Sequence, residues 1–146
     1  MQALSTSSRR RWAVCAFGAA IVALAVGVSQ GLARAHSNGT ATAPIQYHNG
    51  HCGHPTSKRF VGTASFTLKD GILTVSVKLH GADPGLYRLY VYPGDCSTSW
   101  ALGAFKVDSS GDGEKSGSID VSGWGRSFFA NPYGAGHAND SLIVTL

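Results

Sequence analysis

Apolar and polar residues alternate along two consecutive runs in the middle of the chain. In the first run, Phe60, Ala64, Phe66 and Leu68 alternate with Val61, Thr63, Ser65 and Thr67. In the second run, Leu73, Val75, Val77 and Leu79 alternate with Thr74, Ser76 and Lys78. A period of two is typical of a strand with one buried face. Between the runs, Lys69-Asp70-Gly71 is a turn signal, so the two runs predict a β-hairpin.

Five further short strands are predicted downstream, at residues 86–92, 101–107, 115–121, 125–130 and 141–146. Loops rich in Gly, Asp and Ser separate several of them, and no stretch after residue 35 has the length and period of an amphipathic helix. About seven short strands with such turns predict an all-β fold, a single antiparallel β-sandwich domain over residues 59–146.

The first 35 residues have the three parts of an export signal. Arg9, Arg10 and Arg11 precede an uncharged apolar run at residues 13–28, and Ala33-Arg34-Ala35 offers small residues at a cleavage site. This predicts a signal peptide over residues 1–35 and a secreted or cell-envelope bacterial protein. Residues 8–12 also resemble a twin-arginine signal. The alternative is an uncleaved anchor, although the apolar run is shorter than the roughly 20 residues that span a bilayer.

The excess positive charge of the chain belongs to that leader. Four of the 12 Lys and Arg residues precede position 36 and none of the 8 Asp and Glu residues does, so 8 basic and 8 acidic residues remain downstream. A chain without net charge gives no electrostatic support for a nucleic-acid partner. Cleavage after Ala35 would also leave no membrane span.

Residues 36–58 show no strand or helix period and predict an irregular, histidine-rich arm. Of the three cysteines, Cys52 and Cys96 remain after cleavage, and in an oxidising compartment an even pair predicts one disulfide.

His48, His51 and His54 lie within seven positions of that arm, and His36 would become the new N-terminus. Imidazole and a free terminal amine suit copper or zinc, so these four histidines are the candidate metal ligands. The alternative is a polar surface arm whose histidines are solvated, in which case no cofactor is required.

A second pattern covers roughly residues 62–131. Asp83-Pro84-Gly85 leads into the strand Leu86-Tyr87-Arg88-Leu89-Tyr90-Val91-Tyr92, followed by Gly94-Asp95-Cys96, and Gly125-Arg126-Ser127 comes later. This sequence pattern resembles that of the copper-zinc superoxide dismutases. The resemblance implies an immunoglobulin-like or superoxide dismutase-like β-sandwich. The positions of three copper-binding histidines of that family fall on Tyr90, Tyr92 and Asn131. The resemblance therefore supports the sandwich and argues against dismutase activity.

The strand at residues 86–92 also predicts a ligand surface. Arg88, Tyr90 and Tyr92 share one face, and if Tyr87, Leu89 and Val91 face the core, the first three form an exposed aromatic strip. The sequence contains no recognisable motif that pairs a nucleophile with a general base. The sequence thus predicts an exported, non-catalytic binding or envelope protein of unknown ligand. The alternative is a copper-handling protein or a degenerate superoxide dismutase-like protein.

Overall fold

The computed structural model describes residues 38–47, 52–55, 57–134 and 136–146. The predicted signal peptide at residues 1–35 lies outside the described residues. In the described part every regular element is a β-strand, and no helix there is long and apolar enough to cross a membrane. The nine strands are β1 (Gly39–Tyr47), β2 (Phe60–Lys69), β3 (Ile72–Leu79), β4 (Gly85–Pro93), β5 (Trp100–Val107), β6 (Gly113–Asp120), β7 (Ser127–Gly134), β8 (His137–Ser141) and β9 (Val144–Thr145).

All strand pairs are antiparallel and form one sheet in the order β5-β4-β7-β8-β1-β2-β3-β6, with β9 paired to β7. The sheet curls until its two end strands, β5 and β6, lie side by side. A Cβ atom at Gly117 of β6 would lie only 3.0 Å from Cβ of Leu102 on β5, so glycine permits this approach. The all-β, antiparallel prediction is confirmed, and the arrangement is a nearly closed barrel whose β6 returns beside β3 in a Greek key.

One face of each strand fills the interior. Phe66, Leu73, Tyr87, Leu89 and Phe128 are each at most 1% exposed and belong to one continuous core. The predicted hairpin is present, since β2 pairs with β3 from Gly62↔Leu79 to Lys69↔Ile72. The core thus consists of the apolar halves of the alternating patterns, as a strand with one buried face requires.

The start of β2 departs from the prediction. The alternation placed Phe60 on the same face as Ala64, yet Phe60 is 60% exposed and Val61 is 1% exposed. Opposite them, Ile45 pairs with Gly62 and Gln46 with Phe60, which leaves Val61 as an extra residue in a β-bulge. A bulge shifts the alternation by one residue, so the side chains before it change face.

The prediction of an irregular arm over residues 36–58 is wrong for residues 39–47, which form β1. This strand lies between β2 and β8 and buries Ala43 and Ile45. Its sequence is Gly, Thr, Ala and Pro for its first six residues, so the contrast between its two faces is weak. Pairing with two neighbouring strands, rather than local periodicity, makes this segment a strand.

Candidate functional site

The outer face of β4 carries the predicted aromatic strip. Tyr87, Leu89 and Val91 are buried, whereas Arg88 is exposed and Tyr90 is half-buried on the opposite face. The alternation expected for this strand is therefore present. It follows from the position of β4 between β5 and β7, which leaves one side of the strand against the core and the other against solvent.

Strand β7 adds residues to this face that the sequence pattern did not assign to a site. Tyr133 lies directly opposite Arg88 in the ladder between β4 and β7, and Asn131 lies opposite Tyr90. Tyr133 is 51% exposed. Alternate residues of β7 face outward, but their pairing with β4 depends on a register that no local motif encodes.

These strands enclose a shallow groove of about 350 Å³, which we call the aromatic groove. Leu86 and Tyr133 are exposed on it, with 72% and 51% of their surface accessible. The groove is lined by Leu86, Tyr87, Arg88, Tyr90, Ala104, Tyr133, Gly134 and Gly136.

Arg88 is the charged member of the aromatic groove among its described lining residues. Its guanidinium makes no hydrogen bond or ion pair with any residue in the described part of the chain. Lys106 lies nearby, because it is paired with Leu86 across β4 and β5, and it is exposed as well. The groove therefore combines aromatic and aliphatic surface with positive charge.

Tyr92 lies outside the aromatic groove, although it shares the outer face of β4. Its ring stacks on Phe129 of β7, with centroids 4.9 Å apart and planes 8° from parallel. Phe129 is 1% exposed although it points away from the main core. Tyr92 is thus half-covered in a small apolar cluster, whereas Arg88 and Tyr90 line the open groove.

A loop linked by a disulfide covers Phe129. Cys52 is bonded to Cys96, as predicted, with Cα atoms 6.0 Å apart. Gly53 follows Cys52 with φ of 69°, and a Cβ atom there would lie 2.8 Å from the Phe129 ring and 2.8 Å from Ile143. Only glycine combines this backbone conformation with so close an approach. The disulfide therefore holds a backbone segment against the outer face of the barrel.

A buried carboxylate anchors the same loop. The Gly53 amide donates to Oδ2 of Asp140 over 3.0 Å, and Nδ2 of Asn131 donates to Oδ1 of Asp140 over 2.6 Å. Asp140 is 1% exposed, and Oδ1 of Asn131 is buried without a hydrogen-bond partner in the described residues. Buried carboxylates are stable when donors surround them, and Asp140 meets that condition.

Of the four candidate metal ligands, the structure describes His54 alone. It is exposed and follows the disulfide loop. His36, His48 and His51 lie outside the described residues. Among the residues that are described, no three His, Cys, Asp or Glu side chains come close enough together to hold a metal ion. Metal binding by the histidine arm stays a prediction.

The positions singled out by the superoxide dismutase resemblance do come together. Tyr90 pairs with Asn131, and Tyr92 lies two residues further along β4, on the same outer face. Two phenols and one amide contain no imidazole nitrogen, the ligand that copper favours at such positions. This donor set does not fit a copper ion.

Two other polar groups, Asp108 and Arg126, have hydrogen-bond partners within the protein. Oδ1 of Asp108 accepts hydrogen bonds from the amides of Ser110 and Asp112, over 2.9 Å and 3.0 Å. Its bonds to the Ser110 side chain and to the loop amides lower the pKa of this carboxyl group below its ordinary value of 3.8. Arg126 donates from Nε to the carbonyl oxygen of Leu146. It lines a separate cleft of about 420 Å³ beside Gly94.

Comparison of the chain with protein-family models, with curated proteins and with solved structures gave no match. The fold and the site together define a class: a small all-β protein with one disulfide and an aromatic groove on its outer surface.

Proposed function

We propose that this is an exported, non-catalytic binding protein whose ligand surface is the aromatic groove. The observation that carries the proposal is the Arg88 guanidinium, which is exposed, free of carboxylate partners in the described chain, and paired across the sheet with the exposed ring of Tyr133. Aromatic and arginine side chains are enriched in the surfaces through which proteins bind their protein partners.

The chemistry of the groove supports recognition rather than turnover. Its described lining residues offer a fixed cation, phenol rings and aliphatic surface, and none of them is a carboxylate, imidazole or thiol that exchanges protons near neutral pH. The strands that bear these side chains belong to a packed barrel, so the surface is rigid. Rigid surfaces lose less entropy on binding.

The disulfide and the leader support export. A Cys52–Cys96 bond is compatible with an oxidising compartment. We propose cleavage after Ala35, which the intact mass of the exported protein tests. A mature chain that retained Trp12 would contradict the cleavage.

The binding proposal is tested by nuclear magnetic resonance of the exported protein with a panel of oligosaccharides, peptides and lipid vesicles. A ligand of the proposed site shifts the backbone amide signals of Arg88, Tyr90 and Tyr133 and leaves those of β2 and β3 unchanged. Ligands that bind only elsewhere, or conversion of a bound ligand into a product, would contradict the proposal.

A second proposal is that the fold is related to the superoxide dismutases and has lost their copper site. The juxtaposition of Tyr90, Tyr92 and Asn131 on one face supports it. A triple variant with Tyr90→His, Tyr92→His and Asn131→His is expected to gain Cu(II) binding. The control is a triple variant with Phe60→His, Lys69→His and Lys78→His, which is expected to gain none. Absence of any gain would contradict the relationship.

A further inference from the structure

We propose that the ligand of the aromatic groove is an acidic carbohydrate, a chain of pyranose rings that carry carboxylate groups. This inference rests on the proposed function and names its substrate class. Three features of the groove lead to it: a cation without a carboxylate partner among the described residues, two tyrosine rings on the outer face, and the strand β4, which has a neighbouring strand on each side.

The cation selects for negative charge. Arg88 is exposed and has no carboxylate partner among the described residues, and Lys106 stands one strand away, beside Leu86. A planar guanidinium binds a carboxylate through two parallel hydrogen bonds. An acidic group on the ligand would therefore find both an attractive field and a matching geometry at Arg88.

The aromatic rings select for flat, weakly polar surfaces. Tyr133 lies opposite Arg88, and Tyr90 lies two residues along β4 from Arg88, roughly 7 Å away at the rise of an extended strand. The face of an aromatic ring is electron-rich and attracts the positive edges of C–H and O–H groups. A pyranose ring presents such C–H groups on its face, so an acidic sugar can stack on a tyrosine and place its carboxylate at Arg88.

The pairing of β4 argues against a peptide that binds by adding a β-strand to it. Arg88 is paired with Ala104 of β5 on one side and with Tyr133 of β7 on the other. A central strand has no free edge, so a peptide cannot add to the sheet as a new strand. A ligand at β4 must therefore be recognised through side chains, and the side chains present there suit rings and negative charges.

Charge balance argues against nucleic acid, which also stacks on aromatic side chains. Single-stranded nucleic acid requires a basic track along its phosphates. The groove has one arginine with one lysine nearby, and the chain from residue 36 onward has 8 basic and 8 acidic residues. The groove therefore offers one binding point for an acidic group and no basic track along a strand.

The test uses the exported protein and four soluble probes in calorimetry. Polygalacturonate carries both rings and carboxylates, and its fully methyl-esterified form keeps the rings without the charge. Poly-L-glutamate keeps the carboxylates without the rings, and oligothymidylate represents nucleic acid. We expect polygalacturonate to bind at least tenfold more tightly than each of the other three.

Matched variants locate the binding. Arg88→Ala is expected to weaken polygalacturonate binding roughly 10- to 100-fold, the loss that removal of a charge-assisted hydrogen bond produces. Tyr133→Leu removes a stacking ring and is expected to weaken the same binding roughly 2- to 10-fold. Lys69→Ala and Phe60→Leu alter an exposed cation and an exposed aromatic ring on β2, across the barrel, and are expected to leave it unchanged.

The remaining outcomes separate the two proposals. Tighter binding of poly-L-glutamate or oligothymidylate, lost in the Arg88 and Tyr133 variants, would overturn the carbohydrate inference and leave the binding site standing. If the esterified polymer binds as tightly as polygalacturonate, the inference of an acidic carbohydrate is also overturned. It is overturned as well if none of the four probes binds. Polygalacturonate binding that Lys69→Ala weakens as much as Arg88→Ala would overturn the site as well.

Discussion

The backbone amide of Gly53 donates a 3.0 Å hydrogen bond to Oδ2 of Asp140, a carboxylate that is 1% exposed and 87 residues further along the chain. This contact joins the disulfide loop to β8 and closes the loop over Phe129. The same carboxylate accepts a hydrogen bond from Asn131, the outward-facing partner of Tyr90. One buried acid therefore connects the disulfide loop to the strand that borders the aromatic groove.

Replacement of this acid should destabilise the protein. Asp140→Ala leaves the Gly53 amide and the Asn131 amide group without their buried acceptor, and we expect the free energy of unfolding to fall by about 3 kcal/mol. Denaturation in urea measures it. Glu114→Ala, which removes an exposed acid, is the control and should stay within about 0.5 kcal/mol of the parent. Equal effects of the two substitutions would contradict a structural role for Asp140.

The disulfide should stabilise the fold to a similar degree. Its two cysteines are 44 positions apart, and closing a loop of that length stabilises a protein by about 4 kcal/mol in the chain-entropy model. The double variant Cys52→Ser, Cys96→Ser is expected to lose this stabilisation in equilibrium denaturation. A thiol reductant should destabilise the parent by the same amount and leave the double variant unaffected. A parent whose stability does not respond to the reductant would refute the prediction.

Tyr87 should make the stability depend on alkaline pH. Its hydroxyl donates to the carbonyl oxygen of Asp83 over 2.9 Å, and burial, followed by the negative charge of Asp83, raises the pKa of Tyr87 above 10.0. The folded state therefore holds this proton longer than the unfolded state. Its contribution to stability is complete below about pH 10 and declines as the pH rises through the folded pKa.

Tyr87→Phe separates this effect from other alkaline titrations. We expect the variant to lose about 1 kcal/mol at neutral pH, from the missing hydrogen bond, and to show a smaller decline above pH 10 than the parent. Stability measured from pH 8 to pH 11 provides the comparison. Tyr133→Phe, which alters an exposed ring, is the control. Parallel curves for parent and Tyr87→Phe would contradict the assignment.

The histidine arm gives a separate prediction about metal. Cu(II) titration of the exported protein is expected to show binding that the variant His48→Ala, His51→Ala, His54→Ala loses, since neutral imidazoles are strong copper ligands. His80→Ala is the control, because His80 is already bonded to Asp112 through Nδ1 at 2.7 Å. Equal binding by parent and triple variant, or binding by neither, would eliminate the arm as a metal site.

Much of the fold could be predicted because its strands carry strong alternation. The β2–β3 hairpin and the outward face of β4 follow from a period of two, which any half-buried strand must show. The disulfide followed from the count of cysteines left after Ala35. In contrast, β1 has almost no apolar contrast along its first six residues, so its pairing with β2 and β8 had no local signal.

The site was predictable only in part. Arg88 and Tyr90 could be assigned to one face of β4 from their spacing alone, and the structure shows that this face is the outer one. That Tyr133 joins them, and that Tyr92 is instead covered beside Phe129, depends on the register between β4 and β7.

The sequence by itself determined the all-β class, the pairing of Cys52 with Cys96, and the division of β4 into two faces, because each of these depends on local spacing or on a simple count. The tertiary structure alone decided that the sheet curls until β5 and β6 lie side by side and that the bulge at Val61 turns Phe60 outward. It also decided that Asp140 meets Gly53 across 87 residues. These features arise from contacts between segments distant in the chain, where strand register and packing, rather than local pattern, set the lowest free energy.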